Sequence, residues 1–172
     1  MKIEDLKFIQ GSVKEGEVAT IRFFDSVDAW SVSNFNAEFD WLENYVKPSK
    51  IRVMINSEGG SVLRGMNAFS TIRDSKIPTV AIVEGLAASM GSILLAAADE
   101  AKMRDYGIIM LHNPFNGADA NDPAVIAFKG QMKTIYSKRW GFSDEEITAI
   151  MDGEGENDGT YINAEEAIRL GI

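Results

Sequence analysis

Three short segments lie between residues 51 and 114: Asn56-Ser57-Glu58-Gly59-Gly60-Ser61, Gly85-Leu86-Ala87-Ala88-Ser89-Met90-Gly91 and Met110-Leu111-His112-Asn113-Pro114. Each follows or closes an apolar run. Ile51-Arg52-Val53-Met54-Ile55 alternates and is β-branched, so it reads as a strand ending at the Gly59-Gly60 turn. Thr79-Val80-Ala81-Ile82-Val83 is apolar on both faces, as a buried strand would be. Ser61 suits the cap of a helix reaching about residue 74, with Leu63, Met66, Phe69 and Ile72 on one side. Residues 87–98 carry no charge and are rich in Ala, which predicts a buried helix. Strand, turn and helix thus recur three times between residues 51 and 114. That pattern is α/β, although periodicity alone does not say which α/β fold.

Working outward, Ala19-Thr20-Ile21-Arg22-Phe23-Phe24 reads as an early strand. Residues 28–47 carry Trp30, Phe35, Phe39, Leu42 and Val46 at helical spacing, with Pro48 as a stop. Short strands are expected at 101–104 and 108–111, around Gly107. A second long helix is expected over 122–140, with Pro123 suited to its first turn. Ser143-Asp144-Glu145-Glu146 is a capping box opening a third, and residues 164–170 form a last short helix ending at Gly171. No repeat, low-complexity tract or linker interrupts the chain, so residues 1–172 are expected to form one domain.

The 172 residues, 45 % hydrophobic and 25 % charged, are ordinary for a water-soluble globular chain. No apolar run reaches the roughly 18 residues needed to span a bilayer. The start, Met1-Lys2-Ile3-Glu4-Asp5, is acidic and lacks the apolar core of a signal peptide. The expectation is a cytoplasmic protein, with no membrane partner. There is no cysteine, which excludes disulfides, thiolate metal sites and a cysteine nucleophile. A net charge of −9 without a Lys/Arg cluster speaks against nucleic acid. One histidine and no cysteine speak against zinc, and the acid-dense stretch 152–158 lacks the spacing of a calcium loop. Neither a metal nor another cofactor is expected.

What remains is the inventory of a serine hydrolase: an oxyanion-binding backbone, a nucleophile and a base. Ser89 follows a buried strand and stands at the start of a helix. Free N–H groups and the positive end of the helix dipole there favour an anionic intermediate. Ala87, Ala88 and Gly91 leave room for a substrate backbone. The α/β-hydrolase pattern has Gly two residues before its serine; Ala87 occupies that place here. His112 is the only imidazole, so it is the base of any serine–histidine pair. A backbone N–H of the Gly59-Gly60 turn and that of Met90 are the candidate oxyanion donors. Read alone, each feature also has an ordinary structural explanation: a small helix residue, a strand-end histidine, a tight turn.

Taken together, the three segments resemble the Clp peptidase family of serine proteases. The family pattern runs Asn-Ser-Pro-Gly-Gly, then Ala-Ala-Ser-Met-Gly, then Met-Ile-His-Gln-Pro. The tail from Tyr161 to Gly171 is similar to the family's closing Phe-Leu-Ser-Ala-x-Glu-Ala-x-x-x-Gly, and the likeness runs from about residue 19 to the end. The resemblance implies a ClpP/crotonase-type α/β fold of repeated β-β-α units with helices packed outside. It implies Ser89 as nucleophile, His112 as base, and Gly60 and Met90 as oxyanion donors. A polypeptide substrate would lie as an added strand beside the segments after Gly60 and after Pro114. Subunits would form homo-oligomeric rings, heptameric or stacked, with the helix over 122–140 mediating the stacking.

Two departures bear on function. Glu58 replaces the motif's Pro and is expected to point to solvent. The family's acid lies two residues before the closing aromatic, where this chain has Gly159. Asp158, one residue earlier, is the chosen third member; Asn157, Glu156 or a Ser–His dyad are the alternatives. Residues 1–17 show no clear copy of the loop with which cellular Clp peptidases meet an ATP-driven unfoldase. The sequence is closer to prophage head-maturation proteases, which cleave capsid or scaffold proteins. The rival readings are a catalytically impaired ring or scaffold subunit, and a crotonase-type acyl-CoA enzyme.

Overall fold

The computed structural model describes residues 6–11, 13–115, 121–155 and 159–172. Among the described residues six strands form one sheet: β1 (Val18–Phe23), β2 (Lys50–Ser57), β3 (Thr79–Ala88), β4 (Glu100–Met103), β5 (Ile108–Leu111) and β6 (Thr160–Asn163). The helices are α1 (Ala29–Trp41), α2 (Val62–Arg73), α3 (Met90–Ala97), α4 (Pro123–Trp140), α5 (Asp144–Asp152) and α6 (Ala164–Leu170). The sheet order is β1-β2-β3-β5-β6, with β4 also on β3. All pairs are parallel except β5 with β6.

β3 organises the sheet. One edge pairs with β2 along its length. The other edge is shared: Val80 to Val83 pair with β4, and Leu86 to Ala88 pair with β5. Between residues 51 and 114 the strand–helix unit therefore occurs twice. The third copy, β1 followed by α1, lies upstream, and β4 runs into β5 through a turn at Gly107.

Local chemistry sets the helix starts, at Ser61 and Ser143 as expected and at Asp28 and Asp122 besides. Asp28 caps α1 by accepting from the N–H groups of Trp30 and Ser31, both at 2.8 Å. Ser61 accepts from Arg64 to start α2, Asp122 from Ala124 to start α4, and Ser143 and Glu146 form the reciprocal box at α5. After Trp41 the first helix widens into a π-helical turn (Leu42–Val46). It closes at Lys47, whose left-handed backbone (φ 53°) sends its N–H to Leu42 O at 2.8 Å.

Three expectations are corrected. Ala87 and Ala88 are strand, not helix: ladder pairing to Ser57, Ile109 and Met110 overrides alanine's helical preference. Leu63 is 65 % exposed because α2 buries its small face, Gly65 and Ala68 with Phe69 and Ile72, instead. Trp30 is 56 % exposed and touches the core only at its rim, against Phe8. The helix predicted to be buried is indeed buried: every residue of α3 is buried, between the sheet, α2 and α4.

One buried carboxylate shapes the N-terminal region. Glu38, on α1, accepts from the N–H groups of Lys7, Phe8 and Ile9 at 2.5, 2.9 and 2.7 Å. It thereby holds residues 6–11 antiparallel to β1, where Arg22 N donates to Phe8 O. Among the described residues no helix is long and apolar enough to cross a membrane.

Candidate active site

The site stands at the C-terminal ends of β2, β3 and β5. Its geometry begins with an irregularity between β2 and β3. Ile55 pairs with Val83, yet Ser57 pairs with Ala87, so β3 carries two extra residues around Gly85. A bulge leaves ladder groups without their usual partners. Asn56 fills the gap: its Oδ1 accepts from Leu86 N at 3.0 Å, and a β-carbon on Gly85 would come within 2.7 Å of that same oxygen. Past the bulge, Ala87 and Ala88 are again gripped from both sides, by Ser57 and by β5.

Ser89 is the next residue, and its backbone is unusual. Its φ of 53° and ψ of −122° are costly for a residue with a β-carbon. The strain persists because both peptide ends are tied. Ser89 N donates to Met110 O at 2.9 Å, and Ser89 O accepts from Ser92 N at 3.0 Å. The α/β-hydrolase sequence pattern is absent, yet the chain makes a comparable sharp turn from strand into helix, projecting Oγ from the junction.

His112 follows β5 directly. Its Nε2 lies 2.7 Å from Ser89 Oγ. The link Ser89 N–Met110 O sits two residues before His112, so the strand pairing that holds the serine also places the histidine. The ring is half-buried, and loss of hydration pushes its pKa below the ordinary 6.5. The neutral ring is therefore favoured, as a proton acceptor requires. Phe115, 79 % exposed, sets its ring edge-on to His112 at 6.0 Å.

The Gly59-Gly60 turn closes the third side. Val27 N donates to Gly59 O and Ser61 N donates to Val27 O, both at 2.8 Å. In a parallel bridge of this form Gly60 turns its own N–H and C=O away from Val27. Gly59 sits still closer. A β-carbon there would lie 2.6 Å from Ser89 Cβ and 2.8 Å from Met90 N. Only glycine fits that space at φ 90°. Met90 is the first residue of α3, where an N–H has no helical partner. The turn, the helix start and the Ser–His pair therefore face one small volume.

Residues 16–172 match the Clp protease family profile. The chain belongs to the Clp protease family. It is a serine-type peptidase. It is 37 % identical over 157 residues to an ATP-dependent Clp protease proteolytic subunit of Cyanophora paradoxa, covering 88 % of this chain and 80 % of that protein. It is 31 % identical over 157 residues to an ATP-dependent Clp protease proteolytic subunit 1 of Prochlorococcus marinus, covering 86 % and 78 %. A ClpP1 mutant from Listeria monocytogenes superimposes with a TM-score of 0.79 at 20 % identity, covering 88 % of this chain and 86 % of that one. The mixed α/β fold expected of a Clp peptidase is the fold found.

Within this Clp protease Gly159 is packed against His112. Gly159 has φ 76°, and a β-carbon on it would lie 2.5 Å from His112 Cβ and 3.0 Å from His112 Cα. No side chain fits where the family motif places its acid. Asp158, the expected acid, lies outside the described residues, as do Asn157 and Glu156. The described carboxylate nearest in connection is Asp152. It accepts from Asn113 Nδ2 at 2.7 Å and from Lys129 at 3.3 Å, and the Asn113 bond first, then the cation, holds it below its usual range. Glu58 is exposed. Among the described residues no three His, Asp or Glu side chains gather as metal ligands.

Two positioning side chains escaped the sequence reading although they sit inside its first motif. Asn56 patches the bulge. Ser57 Oγ accepts from Gly59 N at 3.1 Å and donates to Asp25 O at 2.6 Å, which ties the glycine turn to the end of β1. The signal was the Asn-Ser pair itself, polar residues at the end of an apolar strand.

Proposed function

We propose that this chain is a serine endopeptidase using Ser89 as nucleophile and His112 as general base, with the N–H groups of Gly60 and Met90 as oxyanion donors. The observation that carries it is the 2.7 Å contact between Ser89 Oγ and His112 Nε2 at the mouth of a turn without β-carbons. Ser89 Oγ attacks the scissile carbonyl and its proton passes to His112. The carbonyl oxygen gains charge opposite the two N–H groups, where such charge is most stabilised. The C–N bond then breaks, the amine leaves with the proton from His112, and water activated by His112 hydrolyses the acyl-enzyme. Asp158 is the proposed partner of the histidine's other nitrogen.

The substrate is a polypeptide, lying extended beside the segments after Gly60 and after Pro114. The N–H and C=O of Gly60, turned away from Val27, support such strand addition. One apolar core draws on β1 through α6, which supports residues 1–172 working as one protease domain. We infer homo-oligomeric rings and a cytoplasmic setting from the family. The relatives named ATP-dependent support an unfoldase partner. The divergent residues 1–17 instead favour a prophage protease acting on capsid or scaffold protein. Degradation of a folded protein with and without an ATP-driven unfoldase separates these two.

The test of the chemistry is intact mass after incubation with a small fluorophosphonate. Ser89 Oγ bonds to phosphorus, fluoride leaves, and the serine proton goes to His112. One adduct on the wild type and none on Ser89→Ala supports the reading. No adduct on either, or equal adducts on both, overturns it.

A further inference from the structure

Ser92 and Tyr136 form a buried polar pair that peptide-bond chemistry does not require. Both side chains are fully buried. Ser92 Oγ donates to Ser89 O at 2.7 Å, and Ser92 Oγ and Tyr136 Oη are 2.7 Å apart. A serine hydroxyl has one proton. Since it goes to Ser89 O, the tyrosine must donate to the serine. The order is therefore Tyr136 Oη–H to Ser92 Oγ–H to Ser89 C=O. Tyr136 belongs to α4 and is seated by stacking on Trp140, 5.5 Å between ring centres at 10°. Its burial raises the phenol's pKa, so it remains a donor at all working pH values.

The end of this chain matters because of what shares its peptide plane. Ser89 C=O and Met90 N–H are the two ends of one rigid trans peptide and point in opposite directions. Fixing the carbonyl fixes the direction of the N–H. Resting on the serine-peptidase reading above, we propose that Ser92 and Tyr136 are positioning residues that aim the Met90 N–H at the oxyanion. Neither touches substrate. The strained backbone of Ser89 is already held at this carbonyl by Ser92 N–H at 3.0 Å, and the shorter bond from Ser92 Oγ, backed by Tyr136, adds a second donor that narrows the direction of the plane.

The test is the rate of fluorophosphonate inactivation of wild type, Ser92→Ala, Tyr136→Phe and the double variant, each with its melting temperature. The phosphoryl oxygen occupies the oxyanion position, so a mis-aimed donor lowers the limiting rate and leaves the half-saturating concentration alone. Ser92→Ala is expected to slow the limiting rate roughly 10-fold, part of what loss of a whole donor would cost. Tyr136→Phe slows it less, and adds nothing on top of Ser92→Ala. The double variant, with both polar groups gone, regains melting temperature but not rate. Rates equal to wild type in both single variants overturn the inference, as does a rate that returns with stability in the double variant. A wild type that is not inactivated at all overturns the peptidase reading, and this inference with it.

Discussion

Gly159 lies so close to His112 that a β-carbon on it would come within 2.5 Å of the histidine's own. Gly159 thus meets His112 through bare backbone. Restoring the family's acid at its aligned place by Gly159→Asp should therefore damage the site. Both the contact and the positive φ oppose it. Peptidase activity is expected to fall at least about 10-fold, as misplacement of a reacting group does. Increased activity in a fluorogenic peptide assay would mean the loop accepts the acid after all.

The half-buried ring of His112 titrates below 6.5, so the acid limb of kcat/KM is expected to have its midpoint under pH 6.5. The same shift links to stability. Below pH 6.5 the unfolded chain binds a proton that the folded chain resists. The contribution from His112 is thus complete above 6.5 and declines as pH falls through the folded pKa. Relative to His112→Asn, the wild type should lose stability on acidification in that window. Urea titrations of both at pH 7 and pH 5 check the sign.

Asn56 serves as a patch in the sheet. Asn56→Ala removes the acceptor of the Leu86 N–H; the bond is exposed, so water replaces it and the cost is about 0.5–1.5 kcal/mol. Because the bulge aims the arm that carries Ser89, activity should fall with it. Fluorophosphonate labelling and urea midpoints of one preparation would detect both; a change in neither would show the bulge to be self-supporting.

Glu38 gathers three N–H donors with one carboxylate. Glu38→Gln keeps the size but turns an NH2 group towards those donors. A loss of about 2 kcal/mol is expected. Release of residues 6–11 should show as faster proteolytic nicking near the N-terminus. The fluorophosphonate rate should hold, since residues 6–11 lie outside β1 at the edge of the sheet, with β1 and β2 between them and the strand that leads to Ser89.

The parts legible in the sequence are those governed by local chemistry. The caps at Ser61, Asp122 and Ser143 state where helices start, and the uncharged stretch after Gly85 announces burial. The order of the motifs pointed to Ser89 and His112, and these two side chains meet. What stayed hidden depends on pairing across the sheet. Ala87 and Ala88 are alanines in a strand because Ser57 and β5 grip them, and no local rule says so. The two-residue bulge and the patch by Asn56 are properties of two strands together. Tyr136 reads as an ordinary core aromatic until the helix that holds it is laid against Ser92.

The bond from Ser89 N to Met110 O joins two strands, and it also joins two chemical partners. Ser89 and His112 hang from one rung, like the two jaws of a caliper on a common bar. Loosening at the periphery of the fold, in residues 6–11 or α6, leaves their separation untouched, whereas a slip of β3 along β5 would part them at once. Amide hydrogens around this rung should consequently be among the last to exchange, and loss of reactivity on warming should coincide with global melting instead of preceding it.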